Sequence, residues 1–190
     1  MVKRTAGGRE TGGSSPLTLT TLLRRHFYSI VFHTFYEITF RQFETTDLDQ
    51  VRALHEEALR ATDAFAERGN WDSDLDDIHA HYINKDGDFL VGFADCQLVA
   101  MGAFRKIREG TAEIKRMRVK PSFQGQGIGG RLLVTIEDAI RGAGYEKIEL
   151  DTTIKQVVAC ALYEKRGYKE VRRETEGYPI EVIFYQKELV

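Results

Sequence analysis

Apolar and polar positions along this chain change period several times, and each change marks an element. Ile38 and Phe40 fall on one side of the alternating run Tyr36–Gln42, which predicts a first strand. Leu48, Val51, Leu54 and Leu59 then recur at helical spacing, with Thr46 as the expected N-cap and Asp47 and Asp49 in a first turn that favours carboxylates. The helix is expected to fade over Arg60–Asn70, and a second one starts at Asp72 or Ser73 and buries Leu75, Ile78 and Tyr82. After the turn Lys85-Asp86-Gly87-Asp88 come strands Phe89–Ala94, Leu98–Lys106 and Thr111–Val119, separated by Asp95-Cys96-Gln97 and Arg108-Glu109-Gly110. Ile128, Leu132, Leu133, Ile136 and Ile140 share one face of a helix Ile128–Arg141 that stops at Gly142 and Gly144. A strand Lys147–Thr152, a helix Gln156–Arg166 ended by Gly167, and a hairpin of Tyr168–Glu176 with Ile180–Lys187 complete the pattern. The order β-α-α-β-β-β-α-β-α-β-β predicts an α+β domain with a mixed, largely antiparallel sheet and helices on both faces.

Composition narrows the function classes. A chain of 190 residues with a net charge of −2 carries no basic footprint for nucleic acid, and no apolar run approaches the roughly 20 residues of a membrane helix. Cys96 and Cys160 are too few for a disulfide framework or a metal cluster, which predicts a reduced, cytoplasmic protein. Met1–Pro16 is rich in glycine, serine and charge and reads as disordered. Leu17–Phe35 is more apolar but interrupted by Arg24, Arg25 and His26, so it is either an appended helix or sequence upstream of the domain proper. Residues 1–35 are thus expected to form an N-terminal extension and residues 36–190 the folded domain.

The chemistry concentrates in Arg116–Leu133, where a strand runs into a glycine loop and then a helix. Glycine lets backbone N–H groups crowd an anion, and the helix N-terminus adds unpaired donors and a positive dipole end. Gly125-x-Gly127-x-x-Gly130 formally matches a dinucleotide fingerprint, with Glu149 or Asp151 about 20 residues on. The context is wrong for it: the preceding strand is charged, four strands come first, and only residues 131–190 remain afterwards. No Gly-Lys-Ser/Thr follows, which excludes a P-loop.

Glu113-Ile114-Lys115-Arg116-Met117-Arg118-Val119-x-Pro121 followed by Gln124-x-x-Gly127-x-Gly129 resembles the cofactor motif of the GNAT family of acetyl-CoA-dependent N-acetyltransferases. A second stretch, Ala159-x-x-Leu162-Tyr163-Glu164-Lys165-x-Gly167-Tyr168, is similar to that family's C-terminal helix motif, and the resemblance covers about Tyr36–Leu189. It implies that acetyl-CoA is the co-substrate and that the amides of Gln124, Gly125, Gln126, Gly127, Ile128, Gly129 and Gly130 hold its pyrophosphate. It further implies that Met117 and Val119 bind the pantetheine arm through their backbone, and that Gln156 replaces an asparagine which contacts that region. A Cβ at Gly127 or Gly129 is expected to meet the phosphate.

Tyr163 is the expected acid toward the departing thiolate and Glu113 the expected base, with Glu149 and Asp151 as rivals. On the last helix Val158, Ala161 and Leu162 are expected to form the apolar face, with Tyr163 roughly 140° round from Val158. The acceptor region is expected between the first two helices, where Thr62, Asp63, Phe65 and Trp71 join the acids Asp72, Asp74, Asp76 and Asp77, which can either select a cationic amine or simply favour a helix start. His79 and His81 do not share a helix face, so no metal is expected, and Cys160 lacks an evident base for covalent catalysis. The partners expected are an amine-bearing acceptor and, as an open option, a second copy in a homodimer, with neither nucleic acid nor membrane. A coenzyme A-binding module without catalysis remains the alternative reading.

Overall fold

Each apolar stripe of the sequence finds a face of one sheet. The computed structural model describes residues 37–62 and 70–189, so the expectations for residues 1–35, for Asp63 and Phe65 and for the side chain of Trp71 lie outside the described residues. The strands are β1 (Ile38–Gln42), β2 (Asp88–Ala94), β3 (Gln97–Arg108), β4 (Thr111–Val119), β5 (Lys147–Thr153), β6 (Lys169–Glu174) and β7 (Val182–Glu188). They form a sheet in the order β1-β2-β3-β4-β5-β7-β6. Every neighbouring pair is antiparallel except β4 and β5. The helices are α1 (Leu48–Arg60), α2 (Ile78–His81), α3 (Ile128–Gly142) and α4 (Val157–Lys165), so the expected element order is the observed one.

Alternation along the strands divides the core in two. Val51 and Leu54 of α1, Ile78 of α2 and Tyr82 pack against Phe89, Val91, Met101 and Ala103 on one face. The stripe Ile128, Leu132, Leu133, Ile136 and Ile140 of α3 packs against Leu90, Phe104, Ala112, Ile114 and Ile148 on the other. Full burial of each such aliphatic side chain contributes about 1.5–3 kcal/mol, which fixes α3 and the loop that precedes it.

Three local expectations change. The first helix is not capped by Thr46: a 3-10 turn, Thr45–Asp47, precedes it, and the Asp47 carboxylate accepts the Glu44 N–H at 2.9 Å while pairing with Arg41 at 2.7 Å. The second helix starts later than Asp72, because Asn70–Leu75 winds as a 3-10 stretch and Asp77 caps α2 by accepting the Ala80 N–H at 2.9 Å. Leu75, Ile78 and Tyr82 are buried as expected. On α4 the face around Val158 is not the buried one: Val158 is 78% exposed and Tyr163 only 4%. Val157–Tyr163 is a continuous apolar run, so its periodicity offers no polar face to set the phase.

The feature that shapes the domain is a bulge in β4. Met101 of β3 faces Arg118 and Ala103 faces Lys115, so three steps on β4 oppose two on β3. At the slip Arg116 adopts φ +58°, a left-handed conformation that costs a side-chain-bearing residue about 1–2 kcal/mol. Its guanidinium is held by two carboxylates: Nη1 donates to Asp72 at 2.7 Å and Nε donates to Asp74 at 2.9 Å, with Nη2 also on Asp74. The Tyr82 hydroxyl donates to Asp74 too, and His55 Nε2 lies 3.1 Å from Asp72. Charge-assisted bonds contribute about 1.5–3 kcal/mol each, enough to hold the bulge in place. Burial alone would raise the Asp74 carboxyl, but the Arg116 hydrogen bonds and charge outweigh it and hold it below the usual carboxylate range. Burial, helped by the charges of Arg118 and Arg116, pushes the His55 imidazole down to about 4, so it is neutral at pH 7.

Removing the cation from this cluster strands the buried carboxylate of Asp74 and the half-buried one of Asp72. Arg116→Met is expected to destabilise the protein by about 3–5 kcal/mol in urea unfolding, the range for a broken buried pair; a loss under about 1 kcal/mol would contradict the role given to it. His55 adds a pH dependence of definite sign. The native imidazole takes a proton only below about 4, whereas an unfolded one does so below about 6.5. Stability is therefore lost as pH falls from about 6.5 to 4, by up to about 1.4 kcal/mol per pH unit. His55→Gln should flatten that slope, and an unchanged slope would remove His55 as its source.

Candidate active site

The bulge ends the pairing of β4 with β5 at Ile114–Leu150. Beyond it, β4 keeps only β3 and β5 keeps only β7, and a cleft of about 280 Å³ opens between them. Met117 and Arg118 of β4, Asp151–Thr153 of β5, Gln156 and Tyr163 line it. The backbone of β4 after Ile114 thus has no strand on the β5 side, which suits the expected role of Met117 and Val119 as backbone contacts.

At the outer end of β4 the chain turns through Pro121–Phe123, with Phe123 buried and the Gln124 side chain donating to the Val119 carbonyl at 3.0 Å. Gly125 and Gly127 then take φ +75° and +77°, and Gly127 directly precedes α3. Apart from its chain neighbours, no atom of the described residues lies within 4 Å of where a Cβ on either would sit, so it is the backbone conformation that favours glycine there. The first bond of α3 runs from the Arg131 N–H to the Gly127 carbonyl at 3.1 Å, which leaves the amides ahead of it without intrahelical acceptors. Gly129 and Gly130 are helical, and a Cβ there would meet only ordinary contacts, 3.6 Å to Val119 and 3.7 Å to Arg166. Ile128 is buried in the core and has only its amide to offer.

Of the nearby cations, Arg166 reaches the start of α3, donating to the Gly130 carbonyl at 3.5 Å, while two others are engaged away from the loop. Arg131 donates to the Ile38 carbonyl at 2.9 Å and stacks over Phe40, and Lys120 pairs with Glu57 at 2.9 Å. An anion here would meet backbone amides and the helix dipole, with the Arg166 guanidinium beside Gly130, a fit for a pyrophosphate.

Tyr163 is buried against Tyr168 and Tyr185, with ring centroids 5.7 and 6.0 Å away, and its hydroxyl makes no hydrogen bond to the described protein residues. Burial pushes its phenol above the ordinary value, so it stays protonated and is available as a donor. Gln156 sits at the N-terminal boundary of α4, its carbonyl accepting from Ala159 and Cys160 at 2.9 and 3.0 Å. Burial also raises the Cys160 thiol, which leaves it a weak nucleophile.

The structure does not bring Glu113 to the cleft. It lies on the paired part of β4, opposite Glu149, and Arg105 Nε donates to it at 2.9 Å. Glu149 is taken up by Arg108 and by Gln186 at 2.8 Å, and the Arg108 bond leads in holding its carboxyl below the usual range. Asp151 is the rival that lines the cleft, with Lys115 Nζ 2.8 Å away.

The acids expected to attract a cationic amine are all engaged. Asp72 and Asp74 hold Arg116, Asp76 pairs with Arg52 at 2.9 Å, and Asp77 caps α2. Thr62 turns its hydroxyl back on the Leu59 carbonyl at 3.2 Å. Sequence reasoning overlooked Arg118. It lines the cleft, Nη1 donates to the Met117 carbonyl at 2.8 Å, and its buried Nε has no partner. Burial and the charge of Arg116 lower its pKa to about 10, so it remains a cation at neutral pH. Arg116 and Arg118 line the same cleft and the charge of one acts on the other; nothing in the sequence marks which of them Asp72 and Asp74 take.

No helix among the described residues is long and apolar enough to cross a membrane. The chain is 41% identical over 83 residues to an IAA acetyltransferase of Azospirillum brasilense, a match covering 43% of this chain and 54% of that protein. It thus spans about half the length of the curated relative. A solved acetyltransferase of Streptococcus agalactiae superposes with a TM-score of 0.73 at 21% identity, covering 80% of this chain and 98% of that one. An acetyltransferase of Salmonella typhimurium solved with acetyl-CoA superposes at 0.66 and 19% identity, covering 80% and 94%; at such identities the likeness concerns the fold. The model of the acetyltransferase (GNAT) family matches residues 34–168, from ahead of β1 to the end of α4, and the chain belongs to that family.

Proposed function

We propose that this protein transfers the acetyl group of acetyl-CoA to an amine by direct attack in a ternary complex. One observation carries the reading: a cleft holds unpaired strand backbone of β4 and the free hydroxyl of Tyr163, and the same strand runs on into a glycine turn whose amides open α3. Those are the parts that a thioester with a pyrophosphate-bearing tail requires. The Salmonella structure solved with acetyl-CoA supports the choice of co-substrate through its fold.

The amine nitrogen attacks the thioester carbonyl carbon, the C–S bond breaks, and the sulfur leaves as a thiolate. A backbone amide of the unpaired β4 segment polarises the carbonyl oxygen. Asp151, the cleft carboxylate not engaged with Arg116, takes the amine proton directly or through a water. Tyr163 donates a hydrogen bond to the departing sulfur. Its raised pKa suits a donor that stays neutral, with the thiolate's proton coming in the end from solvent.

Tyr163→Phe should lower kcat for thiol release by about 100-fold or more while leaving acetyl-CoA affinity within a few-fold. Unchanged turnover would remove Tyr163 from the reaction. Gly127→Val forces a β-branched residue into φ +77° at the cradle. It should weaken coenzyme A binding at least about tenfold in calorimetry, with a folded far-UV spectrum; wild-type affinity would exclude the loop as the pyrophosphate site.

A further inference from the structure

We propose that Arg118 receives a carboxylate carried by the acceptor, so that the amine acetylated is an amino acid or a similarly anionic amine. The inference rests on the acetyl-transfer reading of the cleft and names its substrate class.

The charges in the cleft decide it. Three cations line the space, Lys115, Arg116 and Arg118, and two carboxylates, Asp72 and Asp151. Lys115 is neutralised by Asp151 at 2.8 Å, and Arg116 by Asp72 at 2.7 Å together with Asp74. Arg118 is left over. It meets no carboxylate among the described residues, and its bonding is a main-chain carbonyl at one end and nothing at the buried Nε. A buried donor left without a partner costs about 1–3 kcal/mol, more when charged, and a carboxylate would satisfy guanidinium geometry in a bidentate way.

Two considerations assign that anion to the acceptor and not to coenzyme A. The phosphates have their own cradle beyond the end of β4, built of amides from Gly125 onward, and the arm that would lie along β4 is a neutral chain of amides. The positive charge also suits the chemistry. The attacking nitrogen must be neutral, and a cation beside it disfavours the ammonium form. An acceptor whose carboxylate offsets Arg118 can enter without its amine being drawn to a free acid, since Asp72, Asp74, Asp76 and Asp77 are already taken.

The test titrates the coenzyme A-saturated protein by calorimetry with a panel of L-amino acids, each paired with its own carboxamide, and measures thiol release separately. At least one amino acid should bind about tenfold or more tightly than its carboxamide. Arg118→Met should erase that difference, and Arg118→Lys should restore part of it; thermal melts of both variants establish that they fold. Carboxamides binding as well as acids, or neither binding, would overturn the inference. So would a loss in Arg118→Met that falls on coenzyme A affinity instead. Tight binding of an acid without thiol release from acetyl-CoA would leave Arg118 as a carboxylate receptor and refute acetyl transfer.

Discussion

The grip of Asp72 and Asp74 on Arg116 is the contact on which the rest depends. A sheet prefers to continue its ladder, and β4 and β5 would close on each other if β4 ran straight. The extra residue at Arg116 breaks the ladder, and the two carboxylates and Tyr82 hold that residue in a conformation it would otherwise avoid. The stabilisation comes from one face of the sheet, through α1 and the segment ahead of α2, while the opening it maintains serves the cleft between the strands. Burial, helped by the charges of Arg118 and Arg116, keeps His55 neutral beside this cluster, so the integrity of the site is tied to proton balance on that face.

Binding and chemistry are divided between backbone and side chains. The proposed anion cradle is made of glycine conformations and helix N–H groups, with Arg131 and Lys120 occupied elsewhere and Arg166 beside Gly130. In the proposed reaction the interior of the cleft works through side chains, Tyr163, Asp151 and Arg118, all of which line it. This division explains why a loop of small exposed residues and a strand dense in charge lie next to each other in the chain. The first must let a ligand approach main chain, and the second must pair most of its charges internally and leave one free.

The fold was legible because hydrophobic period carries it. Every strand and helix of the expected order is present, and the α3 stripe from Ile128 to Ile140 is buried in full. Local signals failed where two satisfactory solutions compete: Thr46 is a good cap residue, but the turn is closed earlier by the capping box of Glu44 with Asp47, which the ion pair to Arg41 holds in place. On α4, seven apolar residues in succession gave no phase, and burial falls on Tyr163 rather than Val158. Within the candidate site, the glycine loop and Tyr163 were reachable through the motifs that resemble the GNAT family, and periodicity alone did not single out Tyr163. Glu113 could not be excluded nor Arg118 found, because both outcomes follow from where the ladder breaks, and a bulge enforced by carboxylates more than 40 residues upstream has no local signature.

The central claim is that acetyl-CoA lies along the unpaired end of β4 with its pyrophosphate on the amides ahead of α3. Amide hydrogen exchange, followed residue by residue with and without saturating acetyl-CoA, tests it most directly. The account predicts new protection concentrated in residues 115–119 and 125–130, with little change in β1, β2 and β6. Protection that leaves those two segments untouched while the ligand is bound would contradict it.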